Sequence, residues 1–186
     1  RRGTGSSRNA PGEVLRMKQI LVVLVLVGAC FGAYKFLSPP EKAPEVSFET
    51  AAGEALGWRD LRGGKRHLLA VFLLPNCSLS EYSAELVSDL HGQYGDSVAF
   101  VGLAFGNAPV ADRMKRDQAL EFPVVGLRAV TDPFAGQEFF DAVRKEYGGS
   151  SGVYGGTVIL LDDQNQMLFG LSQGDVRDLP GRLAAL

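Results

Sequence analysis

The sequence predicts a three-layer α/β fold in which a mixed central sheet is flanked by helices. The first observation is two continuous apolar runs, residues 67–74 and 97–106, of the kind found in strands buried on both faces. The second is that amphipathic helical patterns alternate with these runs. The third is a pair of strand patterns, 157–163 and 166–173, joined by a tight turn. Together these elements predict a mixed sheet with helices packed against it.

The first half of the predicted sheet contains its most apolar segments. Residues 45–49 alternate in polarity and predict a short edge strand or hairpin arm, and residues 58–65 are turn-rich. After the 67–74 strand we expect a helix that Ser78 or Ser80 can cap and that ends at Gly95. Its predicted apolar stripe consists of Leu79, Tyr82, Leu86, Leu90 and Tyr94.

The second half adds shorter elements. We predict a polar helix over 109–120, an extended segment over 121–130 and a helix over 133–148. A Gly/Ser segment over 148–156 precedes the hairpin, and a short helix interrupted near Pro180 closes the chain.

Composition limits the classes of function. The chain has 186 residues, 46% of them hydrophobic and 22% charged, which suits one ordinary domain with an appendage. A net charge of −2 and the lack of a basic cluster argue against a nucleic-acid partner. With only two cysteines, Cys30 and Cys77, the chain cannot build a disulfide framework. No metal-ligand spacing is found, and we expect neither a metal nor another cofactor.

The N-terminal part is distinct from the domain. Residues 1–16 are polar and patternless, and we predict a disordered extension there. Residues 17–37 form a signal or anchor segment that is uncharged from Ile20 to Tyr34. Three interpretations stay open: a cleaved signal, a membrane-spanning anchor, and a lipoprotein signal with Cys30 as the lipidated residue. All three predict a protein outside the cytoplasm, on the periplasmic side or cell surface, with anchoring favoured over release.

A linker joins the two parts. Three prolines fall within residues 38–44 and predict an extended, semi-rigid spacer. The globular domain is therefore expected over residues 45–186.

Four stretches of the domain resemble the thioredoxin superfamily, with a cysteine directly after a buried strand and at the start of a helix. They are WRDLRGGKRHLLAVFLLPNCSLSEYSAEL, SVAFVGLAFG, EFPVV and GVYGGTVILLDDQNQMLFG, which occur in the order of that superfamily. The resemblance is to extracytoplasmic thiol-disulfide oxidoreductases and redoxin-type, peroxiredoxin-related domains. It covers residues 45–186 and implies a thioredoxin-like fold.

Three positions depart from those families. Dithiol members carry CxxC, whereas this chain has a CxxS motif in which Ser80 occupies the resolving position. Gly156 stands where members have a cis-proline before the next strand. The segment from Val71 to Cys77 lacks the peroxiredoxin Pro-x-x-x-Thr/Ser-x-x-Cys signature. An intramolecular disulfide therefore cannot close within the motif.

The candidate site consists of Cys77 and Ser80. The dipole of a helix N-terminus favours a thiolate, so we predict a lowered pKa for Cys77, with Ser80 donating to the sulfur and Glu81 opposing the effect. The resemblance implies a substrate groove formed by Asn76, Ser78, Gly156 and Thr157. The alternative interpretation of Cys77 is a small packing residue.

Three functions are consistent with this site. The first is a membrane-anchored, extracytoplasmic thiol-disulfide exchange protein that uses Cys77 on protein or small-molecule thiols and disulfides. The second is a non-catalytic binding module that holds an extended peptide beside Cys77. The third is a single-cysteine peroxidase, which requires a sulfenic acid at Cys77.

Overall fold

A computed structural model describes residues 42–43, 45–127 and 155–186 of the chain. The predicted extension over 1–16, the signal or anchor segment over 17–37 and the predicted helix over 133–148 lie outside these residues. Within the described ranges, no helix combines the length and apolar character needed to cross a membrane.

The described residues contain one seven-stranded mixed sheet, which confirms the predicted fold class. Its spatial order is β2-β1-β5-β4-β3-β6-β7. Strands β3, β4 and β5 are parallel to one another, and the remaining neighbours are antiparallel. The strands are β1 (Phe48–Glu49), β2 (Ala55–Leu56), β3 (His67–Leu73), β4 (Val98–Ala104), β5 (Val124–Leu127), β6 (Val158–Leu161) and β7 (Met167–Leu171).

Strand β3 lies at the centre of the core, as its unbroken apolar sequence predicts. Leu69, Val71 and Leu73 face one hydrophobic cluster, and the alternate residues Leu68, Ala70 and Phe72 face the other. Side chains of successive strand residues point to opposite faces, so a strand covered on both sides needs apolar residues throughout. This burial holds the C-terminal end of β3 in a fixed position before Cys77.

Helices and a closing 3₁₀ turn cover the sheet. They are α1 (Trp58–Arg62), α2 (Ser78–Tyr94), α3 (Ala108–Asp117), a 3₁₀ helix (Gln173–Asp178) and α4 (Leu179–Leu183). Most bounds agree with the sequence analysis, but α1 is a one-turn helix in a segment that we expected to be only turns. It buries Trp58 against Phe48, with ring centroids 4.6 Å apart, so tertiary packing stabilises a helix too short to form alone.

The predicted apolar stripe of α2 faces the core in its C-terminal half but not at its start, since Leu90 is 3% exposed and Leu86 and Tyr94 pack against the core. Leu79 and Tyr82 are 42% and 43% exposed, whereas Ser80, Ser83 and Ala84 are buried. Farther along, Val87 and Leu90 continue the buried face. Small side chains in the first turns let the helix approach the neighbouring backbone closely, and this requirement overrides the hydrophobic pattern.

The end of the predicted linker is joined to the sheet. Lys42 forms an antiparallel bridge with Gln166, and the Ala43 N–H donates to the Asn165 carbonyl at 2.7 Å. Ala43 is 1% exposed. Ordered contacts with the domain therefore begin before Glu45.

Candidate functional site

Cys77 is the N-cap residue of α2. Pro75 and Asn76 turn the chain at the end of β3, and Asn76 has a φ of +58°, a left-handed conformation that asparagine tolerates well. Cys77 itself is extended, with φ −117° and ψ 112°, and the helix starts at Ser78. The prediction that Ser78 or Ser80 caps the helix was wrong, because both lie inside its first turn. The cap position is occupied by the thiol.

Ser80 is fully buried next to Cys77. Its Oγ accepts a hydrogen bond from the Leu74 backbone N–H at 2.9 Å. A hydroxyl can accept and donate at once, so its proton remains available to the sulfur. Ser80 thus links the end of β3 to the start of α2.

Gly155 and Gly156 form the wall of the site opposite the helix. A Cβ atom at Gly155 would collide with Ser80 Oγ and would lie 2.7 Å from Leu74 Cβ and 3.1 Å from Cys77 Sγ. Gly156 has a φ of +88°, and a Cβ there would lie 2.6 Å from the Leu79 carbonyl oxygen. Only glycine fits at both positions. The Gly156 segment therefore packs directly against the helix start that carries Cys77.

The surroundings of Cys77 favour the ionised form of its thiol. The pKa of Cys77 is lowered from its usual value, first by the hydrogen bond from the Ser80 backbone N–H. Burial raises the pKa, while the Ser80 hydroxyl and the Leu79 N–H lower it and the Glu81 carboxylate raises it. The two backbone donors are N–H groups left unpaired at a helix start.

The remaining predicted groove residues flank Cys77 in the chain or lie at the end of β6. Asn76 and Ser78 are exposed, and Thr157 is 5% exposed. The Gly156 N–H donates to the Phe72 carbonyl at 2.6 Å, and the Thr157 carbonyl accepts from the Phe72 N–H at 2.8 Å. These two bonds extend the β3–β6 pairing up to the level of the site.

Sequence reasoning missed three residues of the site. Gly155, rather than Gly156, is the glycine that lies next to Cys77 Sγ. The Leu74 backbone N–H donates to Ser80 Oγ, and the Ser83 hydroxyl lies near Gly156. The Gly-Gly pair before the strand was the signal for Gly155. Nothing in the pattern indicated that Ser83 faces inward.

Other polar groups have structural roles. The Asp162 Oδ1 accepts from the N–H groups of Gln164 and Gln166, each at 2.8 Å, as expected of a turn residue. His91 packs edge-on against Phe100, with ring centroids 5.3 Å apart. In the ranges 42–43, 45–127 and 155–186, no group of three His, Cys, Asp or Glu residues is placed to hold a metal ion. Cys30 lies outside the described residues.

Comparison with solved structures identifies the architecture. A thiol:disulfide interchange protein from Bacteroides sp. superposes with a TM-score of 0.59 at 13% identity, covering 79% of this chain and 90% of that one. A thiol-disulfide oxidoreductase from Bacteroides fragilis superposes with a TM-score of 0.54 at 23% identity, covering 78% of this chain and 98% of that one. The peroxidoxin BcpB from Mycobacterium tuberculosis superposes with a TM-score of 0.59 at 12% identity, covering 79% of this chain and 94% of that one.

The fold is thioredoxin-like. This confirms the resemblance found in the sequence, and at these identities the likeness concerns the fold. No protein-family model and no curated protein matches the chain. The chemistry of the thioredoxin-like domain must therefore be argued from its own residues.

Proposed function

We propose that this thioredoxin-like protein carries out thiol-disulfide exchange through Cys77 alone. The observation that carries the proposal is the position of Cys77 at the N-cap of α2, where the backbone N–H groups of Ser80 and Leu79 and the Ser80 hydroxyl lower the pKa of its thiol. A thiolate is the nucleophile in exchange, and these groups stabilise it. Cys77 is partly exposed, as a residue that meets a partner must be.

The proposed exchange needs only one cysteine of this chain. The Cys77 thiolate attacks one sulfur of a partner disulfide, the partner's S–S bond breaks, and one partner thiolate leaves. The product is a mixed disulfide between Cys77 and the other partner sulfur. Ser80 cannot attack this bond, so an external thiolate attacks the partner sulfur. A new disulfide forms between the external thiol and the partner, the mixed disulfide breaks, and the Cys77 thiolate leaves.

We further propose that the domain works outside the cytoplasm, held at a membrane by residues 17–37. The uncharged run from Ile20 to Tyr34 supports this, as does the short proline-rich linker that follows it. Oxidising conditions outside the cytoplasm keep partner disulfides available to a nucleophilic thiol. Cys30 is the lipidation candidate if the segment is a lipoprotein signal.

The test is reaction of the full chain with an aromatic disulfide that releases a coloured thiolate. We expect one equivalent of thiolate per chain in a Cys30→Ala background and a mixed disulfide that persists until a reductant is added. Cys77→Ser should release none. Ser80→Cys should release a second equivalent, because the new thiol closes a disulfide with Cys77. A Cys77 that reacts no faster than a buried thiol would overturn the proposal.

A non-catalytic binding module is the second candidate. The observation that favours it is the close approach of Gly155 and Gly156 to the start of α2. Gly156 stands at the position of the family's proline and Ser80 at that of the resolving cysteine, and both family residues serve turnover more than binding. This candidate predicts that a partner captured by the wild-type protein under reducing conditions is captured equally well by the Cys77→Ala variant.

A single-cysteine peroxidase makes a different prediction. Peroxide should then convert Cys77 to a sulfenic acid faster than it oxidises a free thiol.

A further inference from the structure

The segments that meet at Cys77 contain carboxylates but no lysine or arginine. The end of β3, the helix α2 and the approach to β6 come together at the thiol. Residues 67–94 and 155–161, which form these segments, include no Lys or Arg. Helix α2 contributes three exposed carboxylates at four-residue intervals: Glu81, Glu85 and Asp89. A partner that approaches the thiol along α2 therefore meets a negative field.

Glu81 is the carboxylate of α2 that lies nearest to Cys77. The Glu81 N–H donates to the Cys77 carbonyl at 3.1 Å, so the two residues are one helical turn apart on the same face. The ion pairs found within the described ranges join other side chains, so no cation there neutralises Glu81. Its carboxylate raises the pKa of Cys77, as a neighbouring negative charge must. Glu81 thus places a negative charge beside the reacting sulfur.

This charge acts on any charge that an incoming disulfide carries. Residues one helical turn apart lie about 5–6 Å from each other. Across about 6 Å in water, two unit charges interact strongly enough to change a rate about threefold. A cationic disulfide is then favoured about tenfold over an anionic one at low salt, and a neutral one lies between them. Dissolved salt screens the interaction over about 8–10 Å and reduces the preference.

We propose that Glu81 is a specificity-determining residue, which makes Cys77 exchange faster with disulfides and thiols that carry a positive charge next to the sulfur than with those that carry a carboxylate there. This rests on the proposed function, since it names the class of partner for that exchange. The Cys77 thiolate attacks one sulfur of the cationic disulfide, the S–S bond breaks, and the other half leaves as a thiolate. A cationic external thiol, as its thiolate, then attacks the partner sulfur and displaces the Cys77 thiolate. The negative field favours the approach of a cation in both steps.

The test uses the full chain with Cys30→Ala in a nonionic detergent, so that Cys77 is the single thiol. Three small disulfides are compared at low salt: cystamine, which is cationic, hydroxyethyl disulfide, which is neutral, and dithiodipropionate, which is anionic. Mass spectrometry of the intact protein measures the rate at which each mixed disulfide forms. The readout is the rate with cystamine divided by the rate with dithiodipropionate. A change in the pKa or nucleophilicity of Cys77 affects both rates alike and cancels in this ratio.

Glu81→Gln should lower the rate ratio about tenfold, and Glu81→Lys should lower it by about a further tenfold. Asp89→Asn is the matched control. It removes the same charge from an exposed position of the same helix, about 12 Å farther along, and should change the ratio less than about twofold. Thermal unfolding verifies folding, because a carboxylate in the first turn also stabilises the helix.

The outcomes separate this inference from the proposed function. A Cys77 that forms no mixed disulfide with any of the three reagents overturns the exchange and this inference with it. Mixed disulfides that form with the same rate ratio in wild type and Glu81→Gln overturn only the role of Glu81. An equal fall of the ratio in Glu81→Gln and Asp89→Asn would assign the preference to the net charge of the chain, and would likewise overturn the role of Glu81.

Discussion

The backbone of Gly155 lies against the sulfur of Cys77, so closely that one added carbon atom would stand 3.1 Å from Sγ. The same carbon would collide with Ser80 Oγ. The end of β3 and the start of α2, which are neighbours in the chain, thus meet the distant approach to β6 at one thiol. A site built this way depends on close packing more than on charge, and the predictions below test that dependence.

The reactivity of Cys77 should follow a titration whose midpoint lies below the usual thiol value of about 8.5. The measurement is the rate of alkylation by iodoacetamide against pH. Ser80→Ala should raise the midpoint, because it removes the hydroxyl donor while keeping the backbone N–H. Ser78→Ala, at an exposed position of the same turn, is the control and should leave the midpoint unchanged.

The same shift gives a pH dependence of stability with a definite sign. Because the folded-state pKa of Cys77 is lowered, ionisation adds stability that is fully present above the unfolded pKa. That contribution is lost as the pH falls through the folded pKa. Denaturant unfolding of wild type and Cys77→Ala should therefore differ more at pH 9.5 than at pH 6, allowing for a constant packing difference. A difference independent of pH would contradict the lowered pKa.

Gly156→Ala should destabilise the protein by about 2 kcal/mol or more, since it combines a left-handed φ with a close approach to the Leu79 carbonyl. Gly155→Ala should cost about 1–3 kcal/mol through crowding of Ser80 and should also slow alkylation of Cys77. Gly92→Ala is the control. It lies in α2 with open space around it and should stabilise by about 0.5–1 kcal/mol. Equal effects at the three glycines would refute the packed wall.

The two ends of α2 should respond differently to truncation. Leu79→Ala should cost less than about 1 kcal/mol because the side chain is 42% exposed. Leu90→Ala should cost about 2–4 kcal/mol because that side chain is 3% exposed and lies in the core. Chemical denaturation measures both. A larger cost at Leu79 than at Leu90 would contradict the difference in burial between the two side chains.

Arg62, a buried arginine of α1, should matter for folding. Arg62→Ala removes donors to the Asp163 carbonyl and the Asn165 side chain and is expected to cost about 2–4 kcal/mol. Arg59→Ala, at an exposed position of the same short helix, should change stability by less than about 0.5 kcal/mol. Thermal unfolding of the two variants gives the comparison, and similar melting temperatures would contradict a stabilising role for these hydrogen bonds.

Hydrophobic patterning was sufficient to predict the sheet. The runs at 67–74 and 97–106 could only be strands covered on both faces, and the position of Cys77 followed from them. Patterning failed where small residues make the contact. Ser80 and Ser83 lie outside the predicted apolar stripe of α2, yet both are buried, because the backbone of Gly155 and Gly156 packs there.

Features that depend on contacts between distant segments could not be predicted from the sequence either. The single turn α1 is stabilised by the burial of Trp58, and its last residue, Arg62, reaches a turn about a hundred residues later. Local propensity contains no information on such a pairing. For the same reason the sequence placed Ala43 in the spacer, although the structure joins it to Asn165.

A wall made of main chain has a consequence for anyone redesigning this protein. Its contour next to the sulfur cannot be tuned by exchanging residues 155 and 156, because any replacement adds atoms where none fit. New selectivity for shape must come from exposed apolar side chains near Cys77 in the chain, and Leu74, Leu79 and Tyr82 are 40%, 42% and 43% exposed. Mutant libraries should therefore randomise those three positions and leave both glycines untouched.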